Sequence, residues 1–217
     1  MSRLETLREE VCYANKMLPA TGLVTMHSGN ASGYDPQSGL LVIKPSGMDY
    51  DAITPESLCA VEVATGRVVD TRFRPSVDLP HHLYLYRNLE GVFGVIHTHS
   101  NHATAFAAVG RPVPLCLTAI ADEFGAEIPC APYVDNEGEH IGEAILKYRN
   151  RSPAILMGNH GVFAWGSSPK SALKAAVMTE DVAKTVWLAM QIGDPKPIPA
   201  EEAEKWYDRY HNRYGQG

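Results

Sequence analysis

The stretch GVFGVIHTHSNHA, Gly91 to Ala103, sets two histidines one residue apart at the end of an apolar run. The run reads as a buried strand, and NHATAFAAVG after it as a helix stopped by Gly110, with Pro112 close behind. Residues i and i+2 of a strand point to the same face, so His97 and His99 can turn both imidazoles toward one point. A metal such as Zn²⁺ accepts such nitrogens, and in catalytic sites it usually takes three protein ligands and keeps one position open. A strand end where two polar residues meet solvent has the same spacing, so the pair alone does not decide.

A third ligand must come from another part of the chain. His160 is the best placed, because it lies in GNHG directly after an apolar strand, where glycine lets the backbone approach closely. Both fragments then share one design, an apolar strand with histidine at its end. Asp78, at the start of the helix DLPHHLYLYRNL, is the natural carboxylate partner if it does not cap that helix instead. Pro80 falls in the first turn, where a missing N–H is harmless. His81 and His82 fit ordinary packing or exposure, and His102 at the head of a helix fits outer contacts at most.

Working outward, residues 3–18 read as an amphipathic helix, with Leu4, Leu7, Val11 and Leu18 on one side. Strands are expected at 22–26, 31–34, 39–43, 59–64 and 67–70, with DPQSG as a hairpin turn. Residues 137–149 read as helix. PAILMGNHGVFAWG reads as two short strands around Gly158–Gly161. Ser168 caps and Gly193 stops a long helix, and the tail is helical before it frays. Hairpins ahead of the main helices point to an α/β domain over residues 1–217, a largely antiparallel sheet flanked by helices, not to strict βαβ alternation.

Composition narrows the classes. The 217 residues are 45% hydrophobic and 20% charged, ordinary for an enzyme with one sizeable core. A net charge of −6 without blocks argues against nucleic-acid binding. No apolar run nears the roughly 20 residues that span a bilayer. MSRLETLREEVCYANKML is too charged for a secretory leader. The four cysteines form no CxxC pair and sit among apolar neighbours, as free thiols do in a reducing cytoplasm.

Three turns add anion chemistry: SGNAS (28–32), KPSG (44–47) and RPS (74–76) offer backbone N–H groups, hydroxyls, Lys44 and Arg74. Each alone is only a turn. Asp122 and Glu123 fit a surface carboxylate pair or a general acid/base, and Tyr214 fits a frayed aromatic.

Taken in order, GLVTMHSGNASGYD, GLLVIKPSGMDYD, RPSVDLPHHLYLYR, GVIHTHSNHATAFA, ADEFGAEIPC, NHGVFAWG and the ending YGQ resemble the class II aldolase/adducin family over nearly the whole chain. The resemblance implies a homotetramer with active sites at subunit interfaces, and a divalent metal, Zn²⁺ first with Mn²⁺ or Co²⁺ as alternatives. His97, His99 and His160 match the family's metal-binding histidines, and Asp78 its acidic position beside the metal. That position is usually Glu in the aldolases and Asp in the epimerases. Asp122 matches an acid/base aspartate, and Tyr214 a C-terminal tyrosine that reaches a neighbouring subunit's site. Gly29, Asn30, Lys44, Ser46, Gly47 and Ser76 match the phosphate- and substrate-binding turns.

The activity implied is epimerisation of L-ribulose 5-phosphate to D-xylulose 5-phosphate by breaking and remaking the C3–C4 bond. The alternatives are aldol cleavage of a ketose phosphate such as L-fuculose 1-phosphate, and a non-catalytic scaffold like adducin. The histidines, Asp122 and Tyr214 argue against the scaffold. Val77, Ile120 and Trp206 depart from the epimerase pattern, which has a serine, a histidine and a histidine there.

Overall fold

The computed structural model describes residues 2–70 and 72–215, so the Gln216 of the YGQ ending lies outside the described residues. Helix α1 (Arg3–Ala20) opens on a capping box: the Ser2 side chain accepts from the Glu5 N–H, and the Glu5 carboxylate accepts from the Ser2 N–H. The hairpin of β1 (Asn30–Asp35) and β2 (Leu40–Ile43) follows, then β3 (Cys59–Glu62) and β4 (Val68–Asp70). Next come α2 (Leu79–Asn88), β5 (Gly94–Thr98), α3 (Asn101–Ala108), α4 (Thr118–Phe124) and β6 (Cys130–Ala131). The chain continues through α5 (His140–Tyr148), β7 (Ala154–Met157), β8 (Gly161–Gly166), α6 (Pro169–Met190) and α7 (Ala200–Arg213).

The strands form one sheet in the order β4-β3-β2-β1-β5-β8-β7-β6. Neighbours pair antiparallel except β6 with β7, so the expected largely antiparallel sheet is what forms. Strand alternation splits the core in two. Ala31, Val42, Ile96 and Val162 pack on the side of α1, α3 and α6. Leu41, Val95, Phe163 and Trp165 pack on the other side with Leu83 and Leu85 of α2 and Ile141 and Ile145 of α5. His97 follows Ile96 and therefore turns to the α2 side, where its ring stacks on Phe163.

The strand expected at 22–26 does not form. Gly22 takes φ +73° and α1 closes with its N–H on the Pro19 carbonyl and the Leu23 N–H on the Leu18 carbonyl. That paired closure is a Schellman stop, and it consumes the segment that an extended strand would need. The short α4, ended by Gly125 at φ +63°, was not expected from periodicity. Among the described residues no helix is long and apolar enough to cross a membrane. Among the described residues the cysteines form no disulfide, and burial raises the Cys12, Cys116 and Cys130 thiols.

Candidate functional site

The end of β5 and the turn between β7 and β8 bring His97, His99 and His160 together. Their ligand nitrogens all lie within 4.8 Å of one another. The His97 Nδ1–H donates to the Val162 carbonyl at 2.9 Å, which leaves the Nε2 lone pair free. That Nε2 lies 2.9 Å from Nε2 of His99. Nitrogens about 2.1 Å from a tetrahedral ion sit roughly 3.4 Å apart, so the cluster fits a divalent metal with little rearrangement. The carbonyl bond on His97 is the kind of outer contact that fixes a ligating tautomer. Burial pushes His97 down to about 4 against the opposing charge of Asp78. Burial likewise lowers His99 and His160. All three are thus neutral near pH 7, the form a metal requires.

Two glycines make room for this arrangement. A Cβ at Gly161 would lie 2.4 Å from the Thr98 carbonyl oxygen and 2.7 Å from the His99 ring. At Gly29 it would lie 2.6 Å from the His97 carbonyl oxygen, with φ at +81°. Gly29→Ala is expected to cost about 1–3 kcal/mol from the left-handed backbone, with steric displacement of β5 added. Thermal denaturation should show a drop of several degrees, at about 2–4 °C per kcal/mol for a chain of this size.

Asp78 occupies the N-cap position of α2, yet its side chain makes no cap hydrogen bond. Its Oδ2 accepts from Asn30 Nδ2 at 2.5 Å and from the Ser76 hydroxyl at 3.4 Å. Burial alone would raise this carboxyl. The positive charge available on His97 and His82, the Asn30 bond and His81 outweigh it and hold Asp78 below the usual range. Asp78 shares the cleft with the histidines, but its carboxylate is not among the atoms of the tight cluster.

The cleft, about 220 Å³, is also lined by Gly29, Asn30, Lys44, Ser46, Gly47 and Ser76. The turns at 44–47 and 74–76 are laced together: Ser46 N–H donates to the Arg74 carbonyl and Ser76 N–H to the Lys44 carbonyl. Lys44 is 2% exposed. Its Nζ reaches the Pro45 carbonyl at 3.4 Å and stands 4.9 Å from the Tyr50 ring centroid. Burial lowers its pKa, and Asp49 and Asp78 partly offset that. Among the described residues no carboxylate comes within ion-pair distance of it. A buried ammonium without a counter-ion is costly unless an anion completes it. Arg74, also expected there, is exposed and does not line the cleft. Ser28 of the SGNAS turn and exposed Val77 line it too, and His27 and Asn136 do so without having been anticipated.

Asp122 and Tyr214 do come together, but elsewhere. They line a separate cavity of about 130 Å³ with Arg209 and Tyr210. Neither lines the histidine cleft of the same copy. Ile120 is core, and Trp206 lies under the cations of Lys205 and Arg209. His102 does not join the cluster: its Nδ1 pairs with Glu180 at 2.7 Å on α6. His81 and His82, expected to pack or face solvent, are buried beside Asp78, with their rings edge-on to Phe163. Their spacing of three and four residues from Asp78 on one helix was the available signal.

The fold is thus an α/β sheet that sets a histidine triad able to hold a divalent metal beside a buried lysine in one cleft. The chain belongs to the class II aldolase and adducin N-terminal domain family, which it matches over residues 9–187. It is 38% identical over 228 residues to L-ribulose-5-phosphate 4-epimerase UlaF of Salmonella paratyphi B, covering 98% of this chain and all of that one. Among solved structures it is similar to an L-fuculose 1-phosphate aldolase, with a TM-score of 0.86, 26% identity and coverage of 97% of this chain and 98% of that one. The L-fuculose-1-phosphate aldolase of Thermus thermophilus shares the fold, with a TM-score of 0.71 at 23% identity over 89% of this chain and 98% of that one.

Proposed function

We propose that the protein is a divalent-metal-dependent sugar-phosphate epimerase that interconverts L-ribulose 5-phosphate and D-xylulose 5-phosphate. The observation that carries this reading is the meeting of the histidine triad and the buried Lys44 cradle in one cleft. Full-length similarity to an L-ribulose-5-phosphate 4-epimerase supports it. His97, His99 and His160 hold the metal, with Asp78 beside them, and Zn²⁺ suits three imidazoles best. When bound, the metal supplies a Lewis acid that draws electron density from the ketose oxygens.

The chain's own residues do the rest. Lys44, Asn30, Gly29, Ser46, Gly47 and Ser76 hold the phosphate. A general base takes the C4 hydroxyl proton as the C3–C4 bond breaks, giving an aldehyde that carries C4, C5 and the phosphate and leaving the bond's electron pair on the enediolate of C1–C3. Rotation exposes the other aldehyde face, the bond re-forms, and a group on that side returns the proton. Asp122 and Tyr214 serve as this pair. Within one copy they line a cavity apart from the metal cleft, which supports a site completed by a neighbouring copy in a homotetramer. No nucleic acid or membrane takes part, and the cytoplasm, where thiols stay reduced, is the compartment.

The place of the phosphate separates this reading from aldol cleavage. In L-ribulose 5-phosphate it rides on the half that becomes the aldehyde, so the Lys44 cradle tethers that half for re-addition. In L-fuculose 1-phosphate it rides on the ketone half, and the uncharged aldehyde is free to leave. Similarity to an L-fuculose 1-phosphate aldolase is what favours this second reading. Trapping free aldehyde distinguishes the two: the epimerase releases none from L-ribulose 5-phosphate, and stoichiometric glycolaldehyde phosphate would establish cleavage instead.

Shared sites predict complementation. His97→Ala and Asp122→Asn are each expected to be inactive, and the two proteins, dissociated and reassembled together, are expected to regain turnover. A mixed assembly that stays inactive would place the whole reaction within one copy.

A further inference from the structure

Beneath the cleft lie polar side chains, Ser32, His82 and Tyr86, that the proposed reaction does not use. Asp78, His82 and Tyr86 recur at intervals of four along α2 and so share one side of it. Asn30 and Ser32 share one face of β1. The two sets are laced together: Asn30 Nδ2 donates to Asp78 Oδ2 at 2.5 Å, while Ser32 Oγ lies 2.7 Å from His82 Nδ1 and 2.7 Å from the Tyr86 hydroxyl. All five are buried, and Ser32 and His82 completely so.

The direction of the hydrogen bonds follows from the far end. The Val95 backbone N–H donates to the Tyr86 oxygen, where it favours the phenolate against a strong upward push from burial. The Tyr86 O–H is then free to donate to Ser32, and Ser32 to His82 Nδ1. His82 is left with its ring proton on Nε2. That Nε2 is fully buried and has no hydrogen-bond partner among the described residues. A desolvated donor left unpaired is costly, so an aliphatic side chain would pack there more favourably unless the proton had work to do. Asp78, one turn earlier at the head of the same helix, is the carboxylate whose charge acts on it. Asp78 Oδ2 is held by Asn30 and Ser76, and its second oxygen has no hydrogen bond among the described residues. Burial drives His82 down to about 3, with the Asp78 charge as the leading opposing influence, so the two lie within each other's field.

We infer that His82 is a positioning residue: the Tyr86–Ser32–His82 chain fixes the imidazole with its Nε2 proton toward Asp78, and so keeps that carboxylate turned to the histidine cluster instead of capping α2. This rests on the assignment of the cluster as the metal centre. It predicts that His82 acts through Asp78 on metal geometry and turnover, and not on phosphate binding.

The test uses the full-length protein loaded with Co²⁺, whose visible spectrum reports the metal's ligand field, alongside Tm, kcat and KM for L-ribulose 5-phosphate. His82→Leu is expected to lower kcat about 10–100-fold, the usual cost of losing an outer partner of a metal site, with KM unchanged and the Co²⁺ spectrum altered. His82→Gln, which keeps an N–H at similar reach, is expected to recover most of both. Should His82→Leu not fold, Ser32→Ala and Tyr86→Phe carry the same expectation in weaker form. Variants that melt earlier but keep the wild-type spectrum and kcat would overturn the inference in favour of simple packing, as would a His82→Gln no better than His82→Leu. If the wild-type protein binds Co²⁺ but does not turn over this sugar, the spectrum alone decides for or against His82, and the failure belongs to the proposed substrate. If it binds no Co²⁺, the inference falls with the metal centre.

Discussion

Replacing His97 by alanine is expected to abolish bound metal and turnover together. His97 is the hinge of the cluster: it is buried, stacked on Phe163 with ring centroids 4.4 Å apart, and fixed through Nδ1 to the Val162 carbonyl. Neither remaining imidazole can take its place, because His99 and His160 already fill their own positions in the cluster. Losing a mere outer partner costs metal sites about 10–100-fold, so loss of the ligand itself should exceed about 100-fold in metal affinity. Dialysis followed by elemental analysis checks this, with His102→Ala as the control. His102 pairs with Glu180 away from the cluster, so that variant should keep its metal. Full activity in His97→Ala would remove the metal from the account.

Lys44→Met should separate binding from folding. The ammonium is buried with no carboxylate in ion-pair distance among the described residues, so it weakens the free protein while serving an anion. A hydrogen bond to a charged group contributes about 1.5–3 kcal/mol. KM for L-ribulose 5-phosphate should therefore rise about 10–100-fold. Thermal stability should hold or increase, since methionine fills the same space without a charge to desolvate. A large loss of Tm with KM unchanged would mean that Lys44 serves the fold and not the ligand. The same experiment with inorganic phosphate as a competitor should show its inhibition weakened in parallel.

The meeting of His97 and His99 was legible because strand geometry has a period of two, which turns i and i+2 to one face. His160 was legible for a related reason, since GNHG marks a tight turn between strands. The hairpins and the capped helices could be read from turn and cap residues. What could not be read was long-range placement. Nothing in SGNAS, KPSG and RPS says that they meet, or that Lys44 is buried while Arg74 is exposed. The segment 22–26 looked strand-like, but the local helix stop at Gly22 and Leu23 outranked that reading. His82 looked like ordinary packing, and its partners on β1 lie about fifty residues earlier in the chain. Asp122 could be read locally only as one of a carboxylate pair and Tyr214 only as a frayed aromatic, and family resemblance alone singled them out.

Once loaded with metal, this cleft is expected to invert C4 of a ketopentose phosphate. The most direct measurement is a proton NMR time course of the metal-loaded protein with L-ribulose 5-phosphate, run beside the same protein stripped by chelator. The account predicts that D-xylulose 5-phosphate appears until equilibrium is reached, without free aldehyde, and only in the loaded sample. An unchanged substrate spectrum in the loaded sample, or equal conversion in the stripped one, would contradict it.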